Sequence, residues 1–197
     1  MDKAIGVLAL QGAYQKHIGM LQALGVPAHT VRYPHELDEC SALIIPGGES
    51  TTISLLIQKN GLYEPIKAFA ESHPVMGVCA GMIMMATEVD DDRVTPLQLI
   101  PFKALRNHYG RQVHSFTTDI KLDFDNKGPA FPAIFIRAPG VDKLSTDVQI
   151  LARNKTNDQD EAVILSTGNH MALSFHPELT DDTRIHAYWL SRFNNSR

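Results

Sequence analysis

The stretch Val75-Met76-Gly77-Val78-Cys79-Ala80-Gly81 decides the fold of this chain. Residues 75–78 form a short apolar run that predicts a buried strand, and residues 80–88 predict a helix directly after it. Gly77 and Gly81 permit a tight turn from strand to helix, which presents the Cys79 side chain at the end of the strand. A strand that leads straight into a helix is typical of α/β proteins with a parallel sheet.

The residues before this stretch repeat the alternation of short apolar runs and amphipathic segments. Predicted strands cover residues 4–10, 28–32 and 42–45. Predicted helices cover residues 13–24, 50–59 and 64–71. Gly25 is expected to end the first of these helices, and Ser50, Thr51 and Thr52 are expected to cap the second. This alternation predicts right-handed βαβ units and a parallel sheet covered by helices on both faces.

The second half of the chain is instead rich in strands linked by short turns. Predicted strands cover residues 97–105, 112–124, 133–136, 148–153, 162–165 and 171–175. Residues 154–161 are polar and predict an exposed turn, and a last helix is expected over residues 181–193, capped by Thr180 or Asp181. Because no stretch has the composition of a linker, we expect one domain over residues 1–197, a three-layer α/β/α structure with an antiparallel elaboration.

The composition argues against several classes of protein. The chain has 197 residues, of which 44% are hydrophobic and 20% are charged, as in globular proteins. Its net charge of −4 argues against a nucleic-acid-binding protein. No apolar run approaches the length of a membrane span and no export signal is visible, so we expect a cytoplasmic protein that does not enter a membrane. The two cysteines, Cys40 and Cys79, fit a reducing compartment.

Cys79 is the first candidate for chemistry. The N-terminus of a helix stabilises negative charge, so this position favours the thiolate, which is the nucleophilic form of cysteine. The backbone N–H of Ala80 would face the oxyanion formed on an acyl group attached to Cys79. From this stretch alone an alternative stays open, in which Cys79 is a buried structural residue and the glycines allow the helix to pack closely on the strand.

A second candidate is the segment Phe175-His176-Pro177-Glu178, which follows a predicted strand. The carboxyl ends of parallel strands are where such sheets bind ligands. A thiol nucleophile needs a base, and the base needs a group that fixes its tautomer. Side chains two residues apart in an extended segment point the same way, so Glu178 could hold one nitrogen of His176 while the other faces Cys79. Taken alone, the segment could equally be an ordinary exit from a strand.

A third candidate is the loop Pro46-Gly47-Gly48-Glu49-Ser50. Two glycines let the backbone approach a ligand closely, and the N–H of Gly48 is the expected second donor to the oxyanion. The alternatives are a plain tight turn and a phosphate-binding turn, but the glycine spacings typical of nucleotide sites are absent. The nine histidines show no zinc-site spacing. We therefore expect neither a nucleotide cofactor nor a metal.

Together these residues resemble the class I, triad-type glutamine amidotransferases, whose domain has a flavodoxin-like fold. Within that family the chain resembles the glutaminase subunits of pyridoxal 5′-phosphate synthase, and the matching segments stand in the family's order over nearly the whole chain. These segments are Leu8-Ala9-Leu10-Gln11-Gly12-Ala13, Pro46-Gly47-Gly48-Glu49-Ser50-Thr51-Thr52, Cys79-Ala80-Gly81, Arg106-Asn107, Gly110-Arg111-Gln112, Ile136-Arg137-Ala138-Pro139 and Ser174-Phe175-His176-Pro177-Glu178-Leu179-Thr180.

The resemblance implies that L-glutamine is hydrolysed to L-glutamate and ammonia through a γ-glutamyl thioester, with Cys79 as nucleophile, His176 as base and Glu178 as orienting group. It implies no cofactor. It also implies a partner, a synthase subunit with a dodecameric core, which uses the ammonia to build pyridoxal 5′-phosphate (vitamin B6) and without which the glutaminase is nearly silent. The implied glutamine-binding residues are Gln11, Gly47, Gly48, Glu49, Arg106, Ile136 and Arg137.

Some alternatives stay open beside this resemblance. Arg106 and Arg137 could form surface or interface ion pairs instead of binding glutamine. Met82, Met84 and Met85, where the family usually has leucine or isoleucine, are expected in the helix core or else against the partner. Rival functions are a glutaminase of another amidotransferase pathway, a free-standing γ-glutamyl hydrolase or peptidase on the same fold, and a non-catalytic binding module. The intact set of cysteine, histidine and glutamate argues against the binding module.

Overall fold

The computed structural model describes residues 3–106, 108, 115–156 and 159–194. The strands, in chain order, are β1 (Ala4–Leu8), β2 (Ala28–Val31), β3 (Cys40–Ile45), β4 (Val75–Val78), β5 (Ala86–Val89), β6 (Ile100–Leu105), β7 (Phe116–Ile120), β8 (Phe131–Phe135), β9 (Gly140–Asp142), β10 (Gln149–Thr156), β11 (Gln159–Thr167) and β12 (His170–Leu173). The α-helices are α1 (Tyr14–Ala23), α2 (Ser50–Lys59), α3 (Tyr63–Ala70), α4 (Ala80–Met85) and α5 (Arg184–Asn194). Pro34–Glu39 and Pro177–Leu179 form 3₁₀ turns.

A central sheet with the strand order β10-β11-β12-β4-β3-β1-β2 organises the molecule. The five strands from β12 to β2 run parallel, and the hairpin β10–β11 is joined antiparallel to β12. Ile45 of β3 pairs with Gly77 of β4, and Leu173 of β12 pairs with Val78, so these three strands end at one edge of the sheet. The predicted α/β class, a parallel sheet with an antiparallel elaboration, is confirmed.

Two hydrophobic cores lie on opposite faces of this sheet. In β3, Leu43 and Ile45 belong to one core and Ala42 and Ile44 to the other, because successive side chains of a strand point to opposite faces. The first core takes apolar side chains from α2, α3 and α4, and the second takes them from α1 and α5. The three layers that the sequence predicts are therefore present. Each strand and helix predicted for residues 4–78 is also present, with bounds that differ by at most two residues.

The helix after Cys79 is shorter than predicted. α4 ends at Met85 rather than at residue 88, because Ala86 is extended (φ −62°, ψ 160°) and starts β5, which pairs with β6. The methionines of α4 have no exposed surface, so the expectation that they form ordinary core is confirmed and the alternative that they face a partner is wrong. These methionines are Met82, Met84 and Met85.

The second half of the chain departs from prediction at its polar segments. Most of residues 154–161, predicted as an exposed turn, continue the β10–β11 hairpin, in which Asn154 pairs with Glu161. The polar composition conceals this pairing, because strand preference depends strongly on cross-strand context. The short strand β9, which pairs with β6, was not predicted. Of the predicted strand 112–124, residues 112–114 lie outside the described residues, and β7 covers part of the remainder.

The last helix begins later than predicted. α5 starts at Arg184 rather than at residue 181. The carboxylate of Asp182 accepts a hydrogen bond from the backbone N–H of Arg184 at 3.0 Å. The expectation that Thr180 or Asp181 caps this helix is therefore wrong, since the side chain that meets its free N–H groups is one or two residues further along.

Candidate active site

Cys79 lies between β4 and α4 in a conformation that few residues with side chains adopt. Its φ is 52° and its ψ is −104°, a backbone strain of about 1–3 kcal/mol that persists in proteins mainly at functional sites. A Cβ on Gly77 would lie 2.5 Å from the carbonyl oxygen of Gly81, and a Cβ on Gly81 would collide with the carbonyl oxygen of Ile45. The glycines therefore do allow close packing, and the same turn brings Cys79 to a cavity wall.

His176 and Glu178 form a buried hydrogen-bonded pair. Nδ1 of His176 is 2.7 Å from Oε1 of Glu178, and the two residues are 8% and 3% exposed. The connecting segment is not extended as predicted, because Pro177 opens a 3₁₀ turn directly after His176. The turn still brings the two side chains together. The backbone N–H of His176 donates to the carbonyl oxygen of Ile134 at 2.9 Å, which fixes the start of this segment against β8.

Charge interactions shift the pKa values of this pair in opposite directions. Burial lowers the pKa of His176, but its hydrogen bonds and charge interactions with Cys79 and Glu178 outweigh burial and raise the pKa to about 10. Burial raises the pKa of Glu178, but the hydrogen bond from His176 and the charges of His17 and His176 outweigh it and lower the pKa below its ordinary value. The site therefore favours an imidazolium beside a carboxylate.

The glycine loop packs against Cys79 and His176. A Cβ on Gly47 would lie 2.5 Å from Cε1 of His176 and 3.4 Å from Cβ of Cys79, so only glycine fits there. The carbonyl oxygen of Gly47 accepts a hydrogen bond from the backbone N–H of Ala13 at 3.4 Å. Oε1 of Gln11 accepts one from the N–H of Glu49 at 2.7 Å. The loop is thus tied on its outer side to the segment that precedes α1.

Glu49 caps α2 and also faces the cavity. Its carboxylate accepts from the backbone N–H of Thr52 at 3.0 Å and from the Thr51 hydroxyl. The expectation that Ser50, Thr51 and Thr52 cap this helix is therefore wrong. Burial raises the pKa of Glu49, but the hydrogen bonds from Thr51 and Thr52 and the charge of Arg106 outweigh it and lower the pKa. Glu49 is thereby held ionised beside the cavity.

The two arginines implied by the family resemblance are in different situations. Arg106 forms ion pairs with Glu49 and Asp91, and its Nε donates to Oγ of Ser50 at 3.0 Å. Arg137 is exposed, has a φ of 45°, and has no ion-pair partner among the residues that the structure describes. Arg106 therefore forms the ion pairs of the alternative interpretation while also lining the cavity, and Arg137 presents an uncommitted cation.

A cavity of about 250 Å³ collects most of these residues, and a volume of this order suits one small molecule. Of the predicted site residues, all but Gly47 and Glu178 line it, and those two pack directly behind His176. The lining residues that were predicted are Gln11, Gly48, Glu49, Cys79, Ala80, Arg106, Ile136, Arg137 and His176. The thiol of Cys79 also donates to the carbonyl oxygen of Ile136 at 3.8 Å.

Sequence reasoning missed two lining residues, Ser50 and Ile83. Ser50 was assigned only a capping role, although its place in the glycine loop was a usable signal. Ile83 stands four residues after Cys79, on the same face of α4, so helical periodicity could have found it. Asn107, Gly110, Arg111 and Gln112, which belong to the family's segments, lie outside the described residues.

Neither a metal site nor a membrane helix is found in the part of the chain that the structure describes. No group of three or more histidine, cysteine, aspartate or glutamate side chains in these residues is placed to hold a metal ion. None of their helices combines the length and the apolar character that a membrane crossing needs.

Comparison with known proteins decides the family. The model of the SNO glutamine amidotransferase family matches residues 7–195. The chain belongs to this family. Among SNO-family relatives, the pyridoxal 5′-phosphate synthase subunit PdxT of Dehalococcoides mccartyi is 48% identical over 189 residues, which cover 94% of this chain and 95% of the relative. PdxT of Halalkalibacterium halodurans is 42% identical over 194 residues, which cover 98% and 96%.

Two solved structures have a fold similar to that of this SNO-family chain. A crystal structure described as a glutamine amidotransferase superposes with a TM-score of 0.87 at 38% identity and covers 96% of this chain and 98% of its own. The PurLQS structure from Thermotoga maritima superposes with a TM-score of 0.72 at 17% identity, over 99% of both chains. The second likeness shows the fold alone.

Proposed function

We propose that this chain hydrolyses L-glutamine to L-glutamate and ammonia, and that a pyridoxal 5′-phosphate synthase subunit receives the ammonia. One observation carries the chemistry: a cysteine in a strained turn lies at a cavity together with a histidine that is hydrogen-bonded to a buried glutamate. Relatives that are named PdxT subunits of this synthase, at 42% and 48% identity over nearly their whole length, support the pathway.

In the first half of the reaction, the Cys79 thiolate attacks the carboxamide carbon of glutamine and a C–S bond forms. The carbonyl oxygen becomes an oxyanion, for which the backbone N–H groups of Ala80 and Gly48 are the proposed donors. One such donor contributes about 3–4 kcal/mol of transition-state stabilisation in comparable sites. The His176 imidazolium donates its proton to the departing nitrogen, the C–N bond breaks, and ammonia leaves.

In the second half, water hydrolyses the γ-glutamyl thioester. His176, now neutral, takes a proton from the attacking water, and the C–S bond breaks to release glutamate and the Cys79 thiolate. Glu178 stays ionised throughout and holds Nδ1–H of His176, so that Nε2 is the nitrogen that exchanges protons at the cavity. Each proton is thus accounted for by His176 and water alone.

The cavity wall supplies groups for the two charges of the amino acid. The exposed Arg137 is suited to the α-carboxylate, and the ionised Glu49 is suited to the α-ammonium group. Arg106 holds Glu49 in place through its ion pair. Gln11, Gly47 and Gly48 shape the wall beside Glu49, and Ile136 lies next to Arg137.

The partner and the compartment are part of the same proposal. We expect the glutaminase to form a single domain over residues 1–197, to dock on a dodecameric synthase core and to act in the cytoplasm. The free thiols of Cys40 and Cys79 fit a reducing compartment. Light scattering of the mixed subunits would measure the stoichiometry of the assembly.

The first experiment measures glutamate production from glutamine, with and without the cognate synthase subunit. Wild-type protein is expected to be active with the synthase, and Cys79→Ala is expected to be inactive while it remains folded. Cys40→Ala is the matched control, because Cys40 lies at the opposite end of β3 and burial raises the pKa of its thiol to about 12. That variant should retain activity.

The outcomes separate the rival functions. Hydrolysis of glutamine by Cys79→Ala would contradict the mechanism. Equal wild-type activity with and without the synthase would favour a free-standing γ-glutamyl hydrolase. Silence in both mixtures would favour a non-catalytic binding module.

A further inference from the structure

Two buried histidines that take no part in this reaction scheme lie behind Glu178. His17 on α1 and His186 on α5 are both 0% exposed. Nε2 of His17 is 3.7 Å from Oε2 of Glu178, and Nδ1 of His17 is 3.1 Å from Nε2 of His186. The pair His176–Glu178 therefore continues inward as a cluster of four side chains, which come from three separate segments.

Some polar atoms of this cluster have no hydrogen-bond partner in the part of the protein that the structure describes. Oε1 of Glu178 accepts from His176, whereas Oε2 of Glu178 and Nε2 of His17 are buried without a hydrogen-bond partner among the described residues. A buried carboxylate oxygen needs a donor, and buried polar atoms of native proteins rarely go without one. At 3.7 Å the two atoms are further apart than in an ordinary hydrogen bond, so an N–H on His17 Nε2 acts on Oε2 through its charge and dipole.

One assignment of protons satisfies the three contacts within this cluster, and it leaves Nδ1 of His186 as a buried acceptor without a partner among the described residues. Burial lowers the pKa of His17, although the charge of Glu178 opposes this, and it lowers the pKa of His186 well below its ordinary value. Both rings are therefore neutral at neutral pH, and a neutral imidazole has one donor and one acceptor. If His17 donates from Nε2 toward Glu178, its Nδ1 must accept from Nε2–H of His186.

We propose that His17 is a positioning residue for the triad: it holds the second oxygen of the Glu178 carboxylate, and His186 fixes the tautomer in which His17 can do so. This inference rests on the proposed glutaminase function. A carboxylate held at both oxygens cannot rotate away from His176, and it stays ionised at lower pH than one held at a single oxygen. His17 thus acts on the reaction only through Glu178.

Several titratable side chains surround Glu178, and the test must distinguish the effect of His17 from theirs. His176 faces Glu178 from its own segment and His17 faces it from α1. Behind these, Cys79 at the end of β4 faces His176, and His186 on α5 faces His17. Removing the His17 imidazole leaves the Cys79–His176 contact in place, but it takes away both the donor toward Oε2 and the partner of His186 Nε2.

The test compares two substitutions of His17 in the complex with the synthase subunit. His17→Leu removes the donor, whereas the amide of His17→Gln can present an N–H where imidazole Nε2 stood. For His17→Leu we expect kcat to fall at least about tenfold with KM nearly unchanged, as for other residues that act through a neighbour. The acid limb of the kcat/KM pH profile should also move to higher pH, because Glu178 then takes up a proton more readily. His17→Gln should retain most of the wild-type kcat and keep the acid limb close to its wild-type position.

A matched control removes a half-buried histidine that lies outside this cluster of four side chains. His170 accepts a hydrogen bond from the backbone N–H of Val75 at 3.1 Å, at the start of β4. His170→Leu should reduce stability while the acid limb stays in place. If His17→Leu leaves the acid limb unmoved, or if His17→Leu and His17→Gln lose activity equally, His17 only fills space and the proposal is overturned.

A spectroscopic measurement tests the proposal apart from turnover. Nitrogen-15 spectra of histidine-labelled wild-type chain at neutral pH are expected to show His17 as a neutral ring protonated at Nε2. A ring protonated at Nδ1, or an imidazolium, would overturn the positioning role even if both His17 variants failed to fold. A wild-type protein that shows the expected tautomer but does not hydrolyse glutamine would instead refute the proposed function.

Discussion

At the scale of single residues, the left-handed backbone of Arg137 beside the cavity is unusual for a residue with a long side chain. Its φ is 45°, its side chain is exposed, and it lines the same cavity as Glu49, while Arg106 already has two carboxylate partners. Strain of this kind is usually retained where a ligand must be met. The proposed function therefore gives the two arginines separate tasks: Arg137 binds the ligand and Arg106 holds Glu49 in place.

This separation predicts the effect of removing the Arg137 charge. Arg137→Gln is expected to raise KM for glutamine about tenfold to a hundredfold, because a hydrogen bond to a charged group contributes about 1.5–3 kcal/mol. The value of kcat should remain nearly unchanged, since the reacting carbon lies at Cys79. Steady-state kinetics in the presence of the synthase subunit measure both constants.

Arg93→Gln is the control for that experiment. Arg93 pairs with Asp91 on the outer side of the Arg106 network, and its side chain is 71% exposed. Its loss should leave KM unaltered. A KM that does not change in Arg137→Gln would assign glutamine binding to other residues.

The positions of the candidate catalytic residues were the most predictable part of the site. Cys79, His176 and Glu178 are recognisable because each stands next to a strand end, and strand ends meet at one edge of a parallel sheet. His17 was not recognisable in this way. Its position on α1 is ordinary for a helix face, and only the folded packing brings it to Glu178.

At the scale of elements, the glycine loop depends on the segment that leads into α1. Gly12 has a φ of 92°, and a Cβ placed there would collide with the carbonyl oxygen of Gly47. The first strand–helix connection and the loop after β3 thus touch backbone to backbone. A change in one connection must move the other.

This contact predicts a specific loss of activity. Gly12→Ala and Gly25→Ala both place a side chain in the left-handed region, at about 1–2 kcal/mol of stability each. Only Gly12→Ala also displaces the loop, because open space surrounds Gly25 (φ 69°). Since a shift of about 1 Å can reduce a rate by about a hundredfold, we expect Gly12→Ala to lose most of its glutaminase activity and Gly25→Ala to keep it.

Urea denaturation and the glutaminase assay, run on both glycine variants, provide the measurement. Equal activity in the two variants would mean that the loop tolerates the displacement.

Elements were predicted best where hydrophobic periodicity is strong. The strands and helices up to β4 combine apolar runs with clear turn residues, and their bounds are close to those observed. The end of α4 was missed because Ala86, Thr87 and Glu88 are compatible with a helix, and pairing with β6 overrides that local preference. The hairpin β10–β11 was predicted too short, because pairing between its two strands is what orders the polar residues near its end.

At the scale of the whole molecule, buried neutral histidines make stability depend on pH. The folded-state pKa values of His17 and His186 lie below the ordinary value of 6.5. Below pH 6.5 the unfolded chain therefore binds protons that the folded chain does not, and stability falls with acidification. The contribution of these groups is fully present above pH 6.5.

The slope of this dependence is measurable. Each such histidine contributes about 1.4 kcal/mol of unfolding free energy per pH unit once the unfolded state is protonated. His186→Leu is therefore expected to be less sensitive to acid than the wild type between pH 6 and 5, by about that amount per pH unit. Urea titrations at several pH values give the two slopes.

His35→Gln, a substitution of an exposed histidine, controls for loss of the residue type as such. The difference between the slopes of His186→Leu and His35→Gln isolates the effect of burial. An unchanged slope in His186→Leu would show that His186 takes up a proton in the folded protein.

The position of β12 in the central sheet has a consequence for how the protein is made. Among the strands of the described residues β12 comes last in chain order, yet it lies in the interior of the sheet between β4 and β11. A nascent chain on the ribosome therefore carries β4 as an open edge, with Cys79 already present and His176 still to be translated. The hairpin β10–β11 has no docking place in the sheet until β12 arrives, and such long-range pairing is slow to form. Translation itself thus keeps Cys79 apart from His176 until β12 and the segment after it have been made.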